Sequence, residues 1–210
     1  MLSSLAYGAL LVSALFAALQ LQRHAQSLSD APKATLQAAA LSAVFFGIWS
    51  LSELISQSDS FAGTDIATLQ RLLSNLAYFV ALPFIASALW VSAYNRHWQR
   101  PAWGRWLIGL FALFELLRRM EHGELYMQVV AIAVSAGMLV AALAPLSKSL
   151  RGANLLATIN MAAALLLAGP GMLLPNPSFD SNVIYPLLLA GALPLTAIAI
   201  KQTVLFHHKA

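Results

Sequence analysis

Long apolar runs, bounded by short polar or Pro/Gly stretches, recur along the whole chain. They predict seven helical spans, at Leu5 to Leu21, Leu36 to Ile55, Leu69 to Ala93, Trp106 to Leu117, Tyr126 to Leu146, Leu155 to Leu174 and Val183 to Phe206. Crossing a bilayer as a helix takes roughly 17–25 apolar residues, and six of the runs supply that length. The fourth is short, so it must borrow length from the charged segment Arg118 to Gly123 or from the aromatic belt of Trp103 and Trp106. The pattern predicts an all-α, polytopic membrane helix bundle forming a single domain over residues 1–210.

Composition agrees with lipid as the main solvent. Hydrophobic residues make up 60% and charged residues 10% of the chain, with a mean hydropathy of +0.73, whereas a soluble domain carries roughly 25% charged residues. The absence of cysteine excludes disulfides, thiolate metal ligands and a cysteine nucleophile. No basic residue precedes Arg23, so the first run reads as a retained helix and not as a cleaved signal. The longest polar connection runs from Ser56 to Asp65, and no soluble output domain is expected within the chain. The partner implied is the lipid bilayer, with no nucleic acid.

The distribution of charge gives orientation. With seven spans, Arg23, Lys33, Arg96, Arg100, Arg105, Lys148, Arg151, Lys201 and Lys209 fall on one side, with Asp30 as its acid. Arg71, Arg118 and Arg119 fall on the other side with Glu53, Asp59, Asp65, Glu115, Glu121, Glu124 and Asp180. The positive-inside rule therefore predicts an outer N-terminus and a cytoplasmic C-terminus, in a bacterial cytoplasmic (inner) membrane.

The densest charge lies in FELLRRMEHGELY, residues 114 to 126, on the side where arginine is disfavoured. If the fourth helix runs to His122 and stops at Gly123, then Glu115, Arg118, Arg119 and His122 share one face. Glu115 four residues before Arg119 is the favourable order for a pair, worth about 0.3–0.5 kcal/mol when exposed. Glu53 ends the second span on the same side. Glu53, Glu115, Arg118, Arg119 and His122 are thus the candidate lining of an outer polar pocket, since ionisable groups at membrane depth normally face the bundle interior or a wet cavity. The competing reading has the same charges snorkelling to the interface around a polar turn.

ALPFIASA (Ala81 to Ala88) and ALPLTAIA (Ala192 to Ala199) match in register, with Pro83 and Pro194 about midway along their spans. The match raises a parallel three-plus-one-plus-three duplication, with units 1–98 and 124–210 joined by the fourth helix, a design found among small transporters. Kinks at the two prolines would free carbonyls, and Ser74, Asn75, Tyr78, Ser87, Thr158, Asn160 and Thr196 would mark a polar route. No acid lies at mid-depth, which disfavours a proton- or sodium-coupled pump.

Other chemistry finds little support. His24, His97, His207 and His208 lie at the predicted cytoplasmic ends with no local metal motif, so no metal and no cofactor is expected. There is no GxSxG, HExxH or nucleotide-binding glycine loop, and no enzyme is expected. Trp49, Glu53 and Leu54, then Gln70, Tyr78, Leu82-Pro83 and Tyr94-Asn95-Arg96 together resemble the second and third helices of the seven-helix input modules of some bacterial sensor kinases. The resemblance implies a small-ligand receptor or accessory role. Two functions follow as expectations: a non-catalytic membrane module whose outer pocket binds a small polar ligand or a membrane partner protein, or a small-solute transporter or channel.

Overall fold

The computed structural model describes residues 2–57, 64–119, 123–144, 146–173 and 179–209. All its regular elements are helical: α1 (Leu2–Ala25), α2 (Asp30–Ser56), α3 (Thr64–Leu76), α4 (Leu82–Ala93), α5 (Arg100–Arg119), α6 (Gly123–Ala142), α7 (Lys148–Ala163) and α8 (Ser181–Lys209). A wider turn at Ala77–Ala81 joins α3 to α4 in one continuous rod, and another at Ala164–Ala168 extends α7.

Six of these rods are long and apolar enough to cross a membrane: Leu2–Ala25, Asp30–Ser56, Asp65–Ala93, Leu125–Ala142, Lys148–Ala168 and Ser181–His208. The fourth expected span becomes α5, extended at both ends over the predicted Trp106 to Leu117. Its 20 residues reach about 30 Å, the thickness of a bilayer's hydrocarbon. Charge separates it from the other six, because any eighteen-residue window of α5 holds at least three of Arg100, Arg105, Glu115, Arg118 and Arg119.

Small residues bring the helices close together inside the bundle, beside larger buried side chains such as Phe46, Phe84 and Leu10, while many large apolar residues face outward. In α1, Ala6, Ala14, Ala17 and Ala25 are buried while Leu5, Val12, Leu15, Phe16 and Leu19 are exposed. A Cβ built on Gly47 would lie 3.7 Å from the Cβ of Ala14, so the α1 and α2 backbones approach closely. Hydrogen bonds across helices pin this arrangement: Ser50 Oγ donates to the carbonyl of Tyr7, and Ser4 Oγ to Gln57 Oε1. α8 packs on α1 and α7, and α4 lies against α2, α6 and α8. α5 stays peripheral. It is tied on by Phe114 against Phe79 (5.1 Å), Trp103 against Phe84 (5.2 Å) and Trp106 Nε1 donating to Ser87 Oγ (3.0 Å).

The two matched prolines lie in different local structures. Pro83 follows the wide turn, where the Leu82 N–H bonds the Ala77 carbonyl five residues back. Pro194 stands inside α8. α4 ends with Asn95 in the left-handed region (φ 51°), and the Arg96 N–H closes the helix on the Val91 carbonyl at 2.9 Å. The wide turn of α7 ends at Gly169, which adopts an extended backbone and begins the Gly169-Pro170-Gly171 break.

Candidate functional site

Trp49 and Glu53 are one turn apart on α2, so the indole Nε1 donates to Glu53 Oε1 at 3.0 Å. Gln70 of α3 donates its amide to the other carboxylate oxygen. Glu53 is therefore fixed from two helices while remaining half-exposed. Beneath it lies an aromatic floor. Tyr7 of α1 packs edge-on against Trp49 at 5.7 Å, and Tyr185 of α8 lies tilted against the same indole at 5.9 Å. All three rings are buried.

These groups line an open cleft of about 420 Å³. Ser74, Gly169, Pro170, Met172, Ser181 and Asn182 complete its wall. Glu53 is the only charged side chain among the described residues that line it. The Asp180 carboxylate accepts from the Asn182 N–H at 3.0 Å and so fixes the first turn of α8; Asp180 itself lines a separate cavity with Leu2, Ser3 and Val183.

The other expected pocket residues lie elsewhere or outside the description. Arg119 Nε pairs with Glu115 Oε1 at 2.9 Å across one turn of α5, with the two side chains 73% and 41% exposed. Neither lines the cleft at Glu53. The Arg118 side chain and His122 fall outside the described residues. Of the expected set, Glu53 alone is placed in this cleft, and the residues that surround it come from α1, α2, α3, the segment after α7, and α8. Trp49 and Gln70 stood in the sensor-like stretch of the sequence. Tyr7 and Tyr185 carried no signal that separates a cleft ring from an ordinary core aromatic.

Five of the seven residues of the expected polar route donate to backbone carbonyls, while Ser74 lines the cleft at Glu53. Thr158 Oγ1 donates to the carbonyls of Met138 (3.2 Å) and Asn154 (2.8 Å), Thr196 Oγ1 to Ala192 (2.8 Å), Ser87 Oγ to Pro83 (2.7 Å) and Asn160 to Leu156 (2.9 Å). Tyr78 Oη donates to the Met127 carbonyl at 2.9 Å.

Two further cavities have a different character. An apolar groove of about 330 Å³ opens between α4, α5 and α6, lined by Pro83, Trp90, Trp98, Trp106 and Tyr126 among others. At the opposite end from Glu53, His97, His207 and His208 line a pocket of about 210 Å³ with Arg96. His24 instead bonds the Gln20 carbonyl of its own helix at 2.8 Å. Among the described residues, no group of three or more His, Cys, Asp or Glu is gathered to hold a metal ion. Scans against protein-family models, curated proteins and solved structures return no match to this chain.

Proposed function

We propose that the chain is a non-catalytic integral membrane protein whose cleft at Glu53 binds a small polar ligand, as a sensor-like or accessory module. In this reading α5 is a seventh span and the basic end of the bundle faces the cytoplasm. The N-terminus and the cleft then open to the outside of a bacterial inner membrane. The observation that carries the proposal is a carboxylate held by two donors above three packed aromatic rings, inside a cavity large enough for a small organic molecule. The charge asymmetry and the length of α5 support the topology. The local bonds that engage Thr158, Thr196, Ser87 and Asn160 favour binding over passage, because a conducting path needs polar groups free to meet a solute.

Because the natural chain lacks cysteine, single cysteines report sidedness cleanly. Asn182→Cys is expected to react with a membrane-impermeant maleimide in intact cells and Gln99→Cys only after lysis; the reverse pattern would overturn the orientation. Binding is read from thermal unfolding in lipid nanodiscs with a panel of small cationic, neutral and anionic solutes. At least one is expected to stabilise the wild type but not Ser74→Trp, which fills the cleft. A panel without effect on the wild type sinks the binding reading.

A further inference from the structure

The cleft that Glu53 crowns has a chemistry narrower than small and polar, and resting on the binding reading above, we infer that its ligand is a small organic cation, an ammonium ion carrying alkyl groups. Three features of the lining select this class.

The first is charge. Glu53 supplies the one charged side chain among the described lining residues, and no lysine, arginine or histidine accompanies it there. An anionic ligand entering this space would meet an acid with no compensating cation among the described lining residues, whereas a cation is drawn in by it.

The second is the way the carboxylate is held. An ionised carboxylate offers about four lone-pair sites. Trp49 and Gln70 use one on each oxygen, which fixes the group without consuming its capacity or neutralising its charge. The two donors are themselves neutral, so the net field in the cleft remains that of an anion.

The third is the floor. Trp49 meets Tyr7 at 5.7 Å and Tyr185 at 5.9 Å, and each of the three rings is less than a tenth exposed. Electron-rich rings attract a cation through their faces and accept its alkyl groups as apolar contact, so a cluster of Trp and Tyr beside a carboxylate suits an alkylated ammonium. A hydrated inorganic cation has no use for such a floor. Calcium also wants six to eight oxygen ligands, against one carboxylate and a few neutral side chains in this lining. The rings are preset by packing between α1, α2 and α8, so little ordering is required when a ligand arrives.

The test compares choline with 3,3-dimethylbutan-1-ol, which has the same shape with carbon in place of the charged nitrogen. Binding of each to the full chain in nanodiscs is measured by calorimetric titration. The wild type is expected to bind choline at least about tenfold more tightly than the neutral isostere. Glu53→Gln, which keeps the side chain's shape, is expected to erase most of that preference by weakening choline alone. The wild-type comparison stands even if the variant does not fold. Equal affinity for the two compounds would overturn the cation inference and leave the cleft as a binding site. If neither compound binds while a neutral or anionic member of the solute panel stabilises the protein, the cation class again falls alone. If nothing in the panel binds, the binding reading falls with it.

Discussion

Ser13 on α1 donates its hydroxyl to the carbonyl of Ala190 on α8, the acceptor that Pro194, four residues on, has no N–H to satisfy. The proline therefore leaves no bare carbonyl facing the bundle interior, and a side chain from another helix supplies the missing donor. This bond ties the N-terminal helix to the last one at the depth of Pro194.

Ser13→Ala is expected to lower unfolding stability by about 0.6–1.5 kcal/mol. In a Pro194→Ala background the alanine N–H can restore the helical bond, so the same serine substitution is expected to cost little. A double-mutant cycle by thermal unfolding in one detergent checks this. Equal losses in both backgrounds would mean the hydroxyl acts by packing alone.

Gly171 is expected to tolerate no side chain. A Cβ there would collide with the Met127 carbonyl and the Tyr78 hydroxyl, and those two are bonded to each other. Gly171→Ala is expected to cost about 1–3 kcal/mol, and Tyr78→Phe about 0.5–1.5 kcal/mol. Combining them is expected not to rescue the glycine variant, since the Met127 backbone remains in the way. Recovery in the double variant would place the whole clash on the tyrosine.

Asn154 is wholly buried in α7, and both its side-chain amide atoms lack a hydrogen-bond partner among the described residues. Desolvating an unpaired polar group costs about 1–3 kcal/mol, so Asn154→Leu, of similar size, is expected to raise the unfolding temperature. A fall would show that the amide has an ordered partner in the membrane-embedded protein.

Arg119→Gln is expected to change stability by no more than about 0.5 kcal/mol through its bond to Glu115, because that pair is solvated and set at helical spacing. The effect should shrink as salt is raised. A large, salt-independent loss would return this stretch to the centre of the functional account.

The helices were legible because apolar length is a property of the chain itself. Leu36 to Ile55 predicts α2 and Leu69 to Ala93 predicts the rod ending at Ala93, with the helices extending a few residues beyond the apolar edges through Asp30 and Thr64. As a pocket residue only Glu53 was legible, since an acid at the end of an apolar run stands out, while Trp49, Gln70 and Ser74 stood out for other reasons. Its neighbours Tyr7 and Tyr185 lie far away in sequence and look like ordinary membrane aromatics; only the packing of α1 and α8 on α2 brings them together. FELLRRMEHGELY drew attention by charge density, but density does not specify partners, and Glu115 pairs with Arg119 while Glu53 pairs with Trp49 and Gln70. The octapeptides around Pro83 and Pro194 read alike, yet a proline's effect depends on what takes the carbonyl it frees. For Pro194 that is Ser13, a residue with no signal of its own.

The wide turn at Ala77–Ala81 amounts to one surplus residue in an otherwise regular helix. Wound as plain α-helix with that residue kept, everything beyond it would be turned by about 100°. Phe84 and Ser87, which hold Trp103 and Trp106 of α5, would then point away from it. The attachment of the most charged helix thus hangs on a phase slip in its neighbour, and the wide turn, by absorbing its surplus residue, keeps that attachment in phase.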